Sequence, residues 1–206
     1  YKLQISKFTI KIRDFCYFYS EFGFMDIKYS QNAQRILIYA KEEAMRTGHI
    51  TIGADHILLA LLRYRDNDVC AALQELGVDL DRMKADIDHA VFKDKAIPFE
   101  KFSSIHPSKA AAGILEMAGY ESLKSHSDAV CPSHIMLAVC HTSGSAGSDL
   151  LKSYGVTYNS LRDRFSTMGA LQRTDSENET KKTFGAITDK LVELINPESK
   201  NITYTS

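Results

Sequence analysis

Two histidines each stand directly before an apolar run, His56 in GADHILLALL (53–62) and His134 in CPSHIMLAVC (131–140), 134 − 56 = 78 positions apart. An imidazole in that place has three roles open to it: general base, metal ligand, or hydrogen-bond partner at the start of a helix. Hydrolysis would pair one of these rings with an activated serine, yet the chain holds no GxSxG or comparable nucleophile turn. A zinc site could draw on Cys131, His134, Cys140 and His141. In a helix, however, the second pair lies ~9 Å further along the axis than the first, too far for one tetrahedral ion to take all four. Any ATPase activity is expected to reside in a partner or in sequence missing from this chain. No GxxxxGK[ST] loop is present, and the nearest glycine-rich piece, SGSAGS from Ser143 to Ser148, lacks the lysine. The expectation is a chain that is not an enzyme and takes no cofactor or metal ion.

The recurrence of the histidine extends to its surroundings. Shifted by 78 without a gap, Tyr29 to Ile87 overlies Pro107 to Phe165 with 13 identities in 59 pairs. Among them are Ser30/Ser108, Ala33/Ala111, Ile36/Ile114, Glu43/Glu121, His56/His134, Leu73/Leu151 and Gly77/Gly155. Chance supplies only about three or four, so the chain carries an internal duplication. A base specific to one reaction has little reason to recur in the same register in both copies, which favours a structural part for the two rings.

Each copy reads as four helices. Ser30 and Ser108 are N-cap candidates, each followed by small and apolar residues at helical spacing, in copy one Ala33, Ile36, Leu37, Ala40 and Ala44. Further helices are predicted from about Ala54 to Tyr64, Asn67 to Leu76 and Asp79 to Val91, with Gly77 placed for a left-handed C-terminal cap. Copy two repeats them at Pro132 to His141, Gly147 to Tyr154 and Thr157 to Thr167. Proline fits best at the first position of a helix, so Pro132 makes Cys131 an N-cap, and the 78-residue shift makes Gly53 its counterpart. Asp55 and Ser133 then take the second helical position, and His56 and His134 the third, from which a side chain reaches back to the N-cap amide.

The predicted fold is all-α, two tandem four-helix repeats related by a pseudo-twofold. The expected organisation is an N-terminal extension (1–28), repeat one (29–91), a linker containing Pro98 (92–106), repeat two (107–167) and a tail (168–206). The tail joins a polar stretch, LQRTDSENETKKT, to a short amphipathic helix from Phe184 to Ile195. The opening 24 residues leave two readings: a start at Met25, or an ordered extension whose KFTIKI alternates like an edge strand. The chain has 206 residues, 44% hydrophobic and 25% charged, the make-up of a globular protein. Its net charge of −1 gives no field to hold a nucleic acid. Four cysteines without a CxxC pair fit a reducing, cytoplasmic setting, and neither a membrane span nor a secretion signal is expected.

The residues of copy one carry a resemblance. A serine-started helix ILIYAKEEAMRTGH, then ITIGADHILLALL, then a helix ending in LGVD, resembles the Clp amino-terminal repeat domain, which heads the AAA+ unfoldases of the Clp family. Gly48, His49, Ile52, Gly53, His56 and Leu58 to Leu62 all match that family's motif. Copy two is looser, with HS and VCPSH in place of the GH and IGTEH elements. The resemblance implies a non-catalytic docking domain that receives adaptor proteins and substrate polypeptides for an ATP-driven Clp ring and its peptidase. The alternative it leaves open is a free-standing accessory protein that binds and modulates the Clp complex. Some family members are similar to receptors for arginine-phosphorylated proteins. Carried over, that site implies Ser30 with Asp55 and Ser108 with Ser133, the second pair lacking a charge for the guanidinium.

Overall fold

The computed structural model describes residues 28–93 and 95–172. The KFTIKI stretch and the segment from Phe184 to Ile195 lie outside them. Eight α-helices carry the described chain: α1 Gln31–Arg46, α2 Ala54–Arg63, α3 Asp68–Glu75 and α4 Leu80–Val91, then α5 Lys109–Lys124, α6 Pro132–Cys140, α7 Ala146–Ser153 and α8 Tyr158–Thr167. Their starts keep one offset: 109 − 31, 132 − 54, 146 − 68 and 158 − 80 all equal 78. Most starts have a polar side chain to accept their free amides. Ser30 Oγ takes Ala33 N–H and Ser108 Oγ takes Ala111 N–H, each at 3.2 Å. Helix α7 opens one residue earlier than the glycine suggests, because Ser145 Oγ accepts from Ser148 N–H at 3.1 Å. Gly77 and Gly155 adopt φ of +80° and +71° at the ends of α3 and α7, a conformation that costs a side-chain-bearing residue about 1 kcal/mol or more.

The core lies on α2 and α6. Every residue of α2 from His56 to Leu62 is buried, and so is α6 from Pro132 to Val139. Helix α1 packs on α2 and α5 on α6, and the two central helices touch each other. Contacts between the halves come in reciprocal pairs: α1 with α6 and α2 with α5, α3 with α6 and α2 with α7, α4 with α7 and α3 with α8. Reciprocity of this kind is what two units related by a twofold produce.

Two short parallel pairings, which the helical reading did not anticipate, clasp the halves together. Strand β1 (Thr51–Ile52) lies beside β2 (His106–Pro107), with Ile52 opposite Pro107, and Tyr29 bridges to Val130. Adding or subtracting 78 turns one pairing into the other: 29 + 78 = 107 and 130 − 78 = 52. Their hydrogen bonds correspond as well, Ser108 N–H to Ile52 O at 2.8 Å and Ser30 N–H to Val130 O at 3.0 Å. The stretch between the halves is more than a tether. After α4 it runs back over the end of α1, with Lys93 N–H on Thr47 O at 3.0 Å and Ile97 N–H on Met45 O at 2.8 Å, before a 3₁₀ turn at Phe99–Ser104.

Candidate functional site

Each parallel pairing ends where two helices begin. Ser108, the N-cap of α5, follows β2 just as Gly53, the N-cap of α2, follows β1, so these two starts share one corner. By the reciprocal pairing Ser30 and Cys131, the N-caps of α1 and α6, share another. The hydroxyl-started helices therefore meet the histidine-motif helices of the opposite half. This corrects the pairing carried over within each repeat: Ser108 shares its corner with the helix that bears Asp55, and Ser30 with the helix that bears Ser133. The crossing follows from the parallel bridges, each of which joins one half to the other.

Within the motif, local chemistry fixes the two helix starts. Gly53 N–H donates to His56 Nδ1 at 2.8 Å, which leaves the ring proton on Nε2, and Nε2–H donates to Thr47 Oγ1 at 3.0 Å. Thr47 in turn donates to Glu43 O at 2.8 Å, and His49 Nδ1 lies 3.1 Å from the same hydroxyl. In the other half Cys131 N–H donates to His134 Nδ1 at 3.0 Å, and Nε2 meets Leu171 O at 3.3 Å. Burial first, then the positive character of His49, Arg46 and Lys93, holds the His56 pKa down to about 4. Burial also lowers His134, against the opposing pull of Leu171 O and Glu121. Both rings are neutral at pH 7. Gly48 completes the motif: its φ is +83°, and a Cβ there would run into the Lys95 carbonyl of the strap.

The two corners differ in what they offer. Gly53, the N-cap of α2, has no side chain to hold the first-turn amides, whereas the polar N-caps of α1, α3, α4, α5, α7 and α8 each accept one or more of them. Open first-turn amides favour an anion. At the α2–α5 corner the helix starts are partly exposed: Gly53, Asp55 and Ser108 are half-buried and Lys109 is exposed, while Ala54 and His56 are buried. At the α1–α6 corner Ser30, Cys131 and Pro132 are buried, and Ser133 is 1% exposed with its hydroxyl spent on Ala170 O at 2.8 Å. Asp55 has a partner the sequence did not disclose. Its Oδ1 accepts Gly147 N–H, in the first turn of α7, at 2.7 Å.

The three described cysteines are free thiols, two of them buried. Burial pushes the Cys140 thiol up to about 12, and Cys131 donates to Ala129 O at 3.7 Å. No three His, Cys, Asp or Glu side chains among the described residues converge on a point fit for a metal ion. No described helix is long and apolar enough to cross a membrane.

The described residues form a matched pair of mostly helical units that meet through reciprocal contacts and present two corners of helix starts. The sequence model of the Clp repeat (R) N-terminal domain matches residues 28–154, and the chain belongs to that family. It is 28% identical over 137 residues to the chaperone protein ClpB of Oceanobacillus iheyensis, and equally so to the negative regulator of genetic competence ClpC/MecB of Bacillus subtilis. Each match covers 66% of this chain and 16% of the relative, so the chain spans about a sixth of the length of these curated relatives. The fold is also that of the Hsp104 N-terminal domain from Candida albicans, with a TM-score of 0.59, 20% identity and coverage of 72% of this chain and 96% of that one. The N-terminal domain of ClpD from Arabidopsis thaliana matches with a TM-score of 0.53, 22% identity and coverage of 68% and 96%.

Proposed function

We propose that this chain is a non-catalytic docking module of the ATP-dependent Clp system. It acts in the cytoplasm and presents adaptor proteins and substrate polypeptides to a Clp ATPase ring. Membership of the Clp repeat family supports the reading at the level of the whole domain. At the level of the site, one observation carries it. The α2–α5 corner brings together a partly exposed helix start whose glycine N-cap has no side chain, the half-buried Ser108 hydroxyl, and the carboxylate of Asp55. An anion on the amides and a guanidinium on the carboxylate would together read a phosphorylated arginine. The α1–α6 corner, buried and with Ser133 in the place of Asp55, would not.

The test is titration calorimetry of an arginine-phosphorylated peptide against the full chain, with D55A and S133A as variants. D55A is expected to weaken binding about tenfold or more, through loss of a charge-assisted contact, and S133A to leave it nearly unchanged. Equal effects of the two substitutions would refute the site. Recovery of neither an ATPase nor a peptidase of the Clp type with the tagged chain from its native cell would refute the docking role.

A further inference from the structure

We propose that Gly147 is a positioning residue for the α2–α5 corner: its backbone N–H fixes the Asp55 carboxylate, so that α7 completes the site that α2 and α5 begin. The inference rests on the reading of that corner as a phosphoarginine site. Gly147 N–H reaches Asp55 Oδ1 at 2.7 Å across 92 positions of sequence, and no other hydrogen bond reaches Asp55 from the described residues. A carboxylate has about four lone-pair sites. Holding one oxygen from behind therefore sets the rotamer and leaves the other oxygen for a guanidinium. The approach is close enough to demand glycine. A Cβ at position 147 would stand 2.5 Å from Leu58 Cδ2 and 3.1 Å from Asp55 Oδ1.

The other half shows what happens without the carboxylate. The counterpart of Gly147 is Val69, since 147 − 78 = 69, and the counterpart of Asp55 is Ser133, whose hydroxyl turns instead to Ala170 O. Glycine and carboxylate are thus present together in one half and absent together from the other. The pair sits at the partly exposed corner, where the second carboxylate oxygen is left for a ligand.

The experiment compares two probes, phosphoarginine and inorganic phosphate, by calorimetry on the full chain, parent against G147A and D55N. The parent is expected to bind phosphoarginine more tightly than phosphate. G147A is expected to lose roughly tenfold in phosphoarginine affinity while phosphate binding, which uses the amides, stays unchanged. D55N keeps an acceptor for Gly147 but loses the charge, and is expected to lose the same preference without loosening the start of α7. Equal loss of both ligands in G147A would make Gly147 a packing residue and overturn the proposal, as would no loss of either. A parent that binds phosphoarginine no better than phosphate would instead remove the reading of the corner itself. A second readout needs no variant: hydrogen exchange at the Gly147 amide is expected to slow in saturating phosphoarginine and not in phosphate, and equal exchange would overturn the assignment.

Discussion

His56 occupies the place that glutamate or glutamine takes in a capping box, and the substitution makes the helix start sensitive to acid. As a glutamine would, the neutral ring accepts from the N-cap amide, but adding a proton turns Nδ1 into a donor facing the Gly53 N–H. The folded pKa of about 4 lies below the usual value of 6.5, so between those limits the unfolded chain binds more protons than the folded one. Stability contributed by His56 is therefore complete above pH 6.5 and falls as the pH drops toward 4, by on the order of 3 kcal/mol over the window. His134, also lowered, adds in the same direction. Urea denaturation at pH 7 and at pH 4.5 should show a marked loss for the parent. H56Q, able to accept from the same amide without titrating, should show a clearly smaller one. A parent and variant with parallel pH dependence would refute the assignment.

At the scale of elements, the repeated acid in α1 and α5 shows how one position serves two different joints. Glu43 is 2% exposed and accepts from Arg46 at 2.7 Å and from Arg63, at the end of α2, at 3.2 Å; Arg46 reaches on to Asp88 of α4. Its counterpart Glu121, equally buried, is held chiefly by the Tyr158 hydroxyl at 2.9 and 3.0 Å, with His141 3.7 Å away. E43Q takes from each of two guanidinium groups one of its carboxylates, leaving Asp88 to Arg46 and Glu42, at 3.1 Å, to Arg63, while in E121Q the phenol still finds an amide oxygen. Because Arg46 and Arg63 are each about 40% exposed, solvent softens the loss. E43Q should cost about 1–2 kcal/mol and E121Q less than about 1 kcal/mol, measured as the shift in denaturant midpoint at constant slope. Equal costs would mean that the cations of half one contribute nothing. The repeat alignment disclosed both acids, and the serine caps, Pro132 and the apolar spacing made the eight helices legible. The parallel bridges were not legible. Two-residue strands leave no alternation to read, and their partners lie in the opposite half, so pairing within each repeat was the natural but mistaken expectation for the corner. Gly147 was hidden for the same reason: its close neighbour is 92 positions away.

At the scale of the molecule, neither half owns a complete core. A unit of about 60 residues buries only about 60% of the surface its unfolded chain exposes, close to the lower limit for independent folding. Here part of that burial lies on the other half: α2 against α6, α3 against α6 and α8, and α4 against α7. Residues 28–105 alone would expose the faces of α2, α3 and α4 that now meet those helices, and would leave β1 without β2. As a dilute monomer this fragment should lack a cooperative unfolding transition. The exposed surface is nearly self-complementary, however, because each contact between the halves has its reciprocal: a second copy would offer its α2 in place of α6, its α3 in place of α7 and its α4 in place of α8. Helicity should therefore rise with concentration as a dimer forms, in step with the mass seen by sedimentation. Lone substitutions such as Arg63 for His141 and Leu80 for Tyr158 lie at the joints within each half and do not break the match. A fragment that melts cooperatively as a monomer, with helicity independent of concentration, would show that the duplication joined two self-sufficient folds, and that the contact between them carries little of the stability.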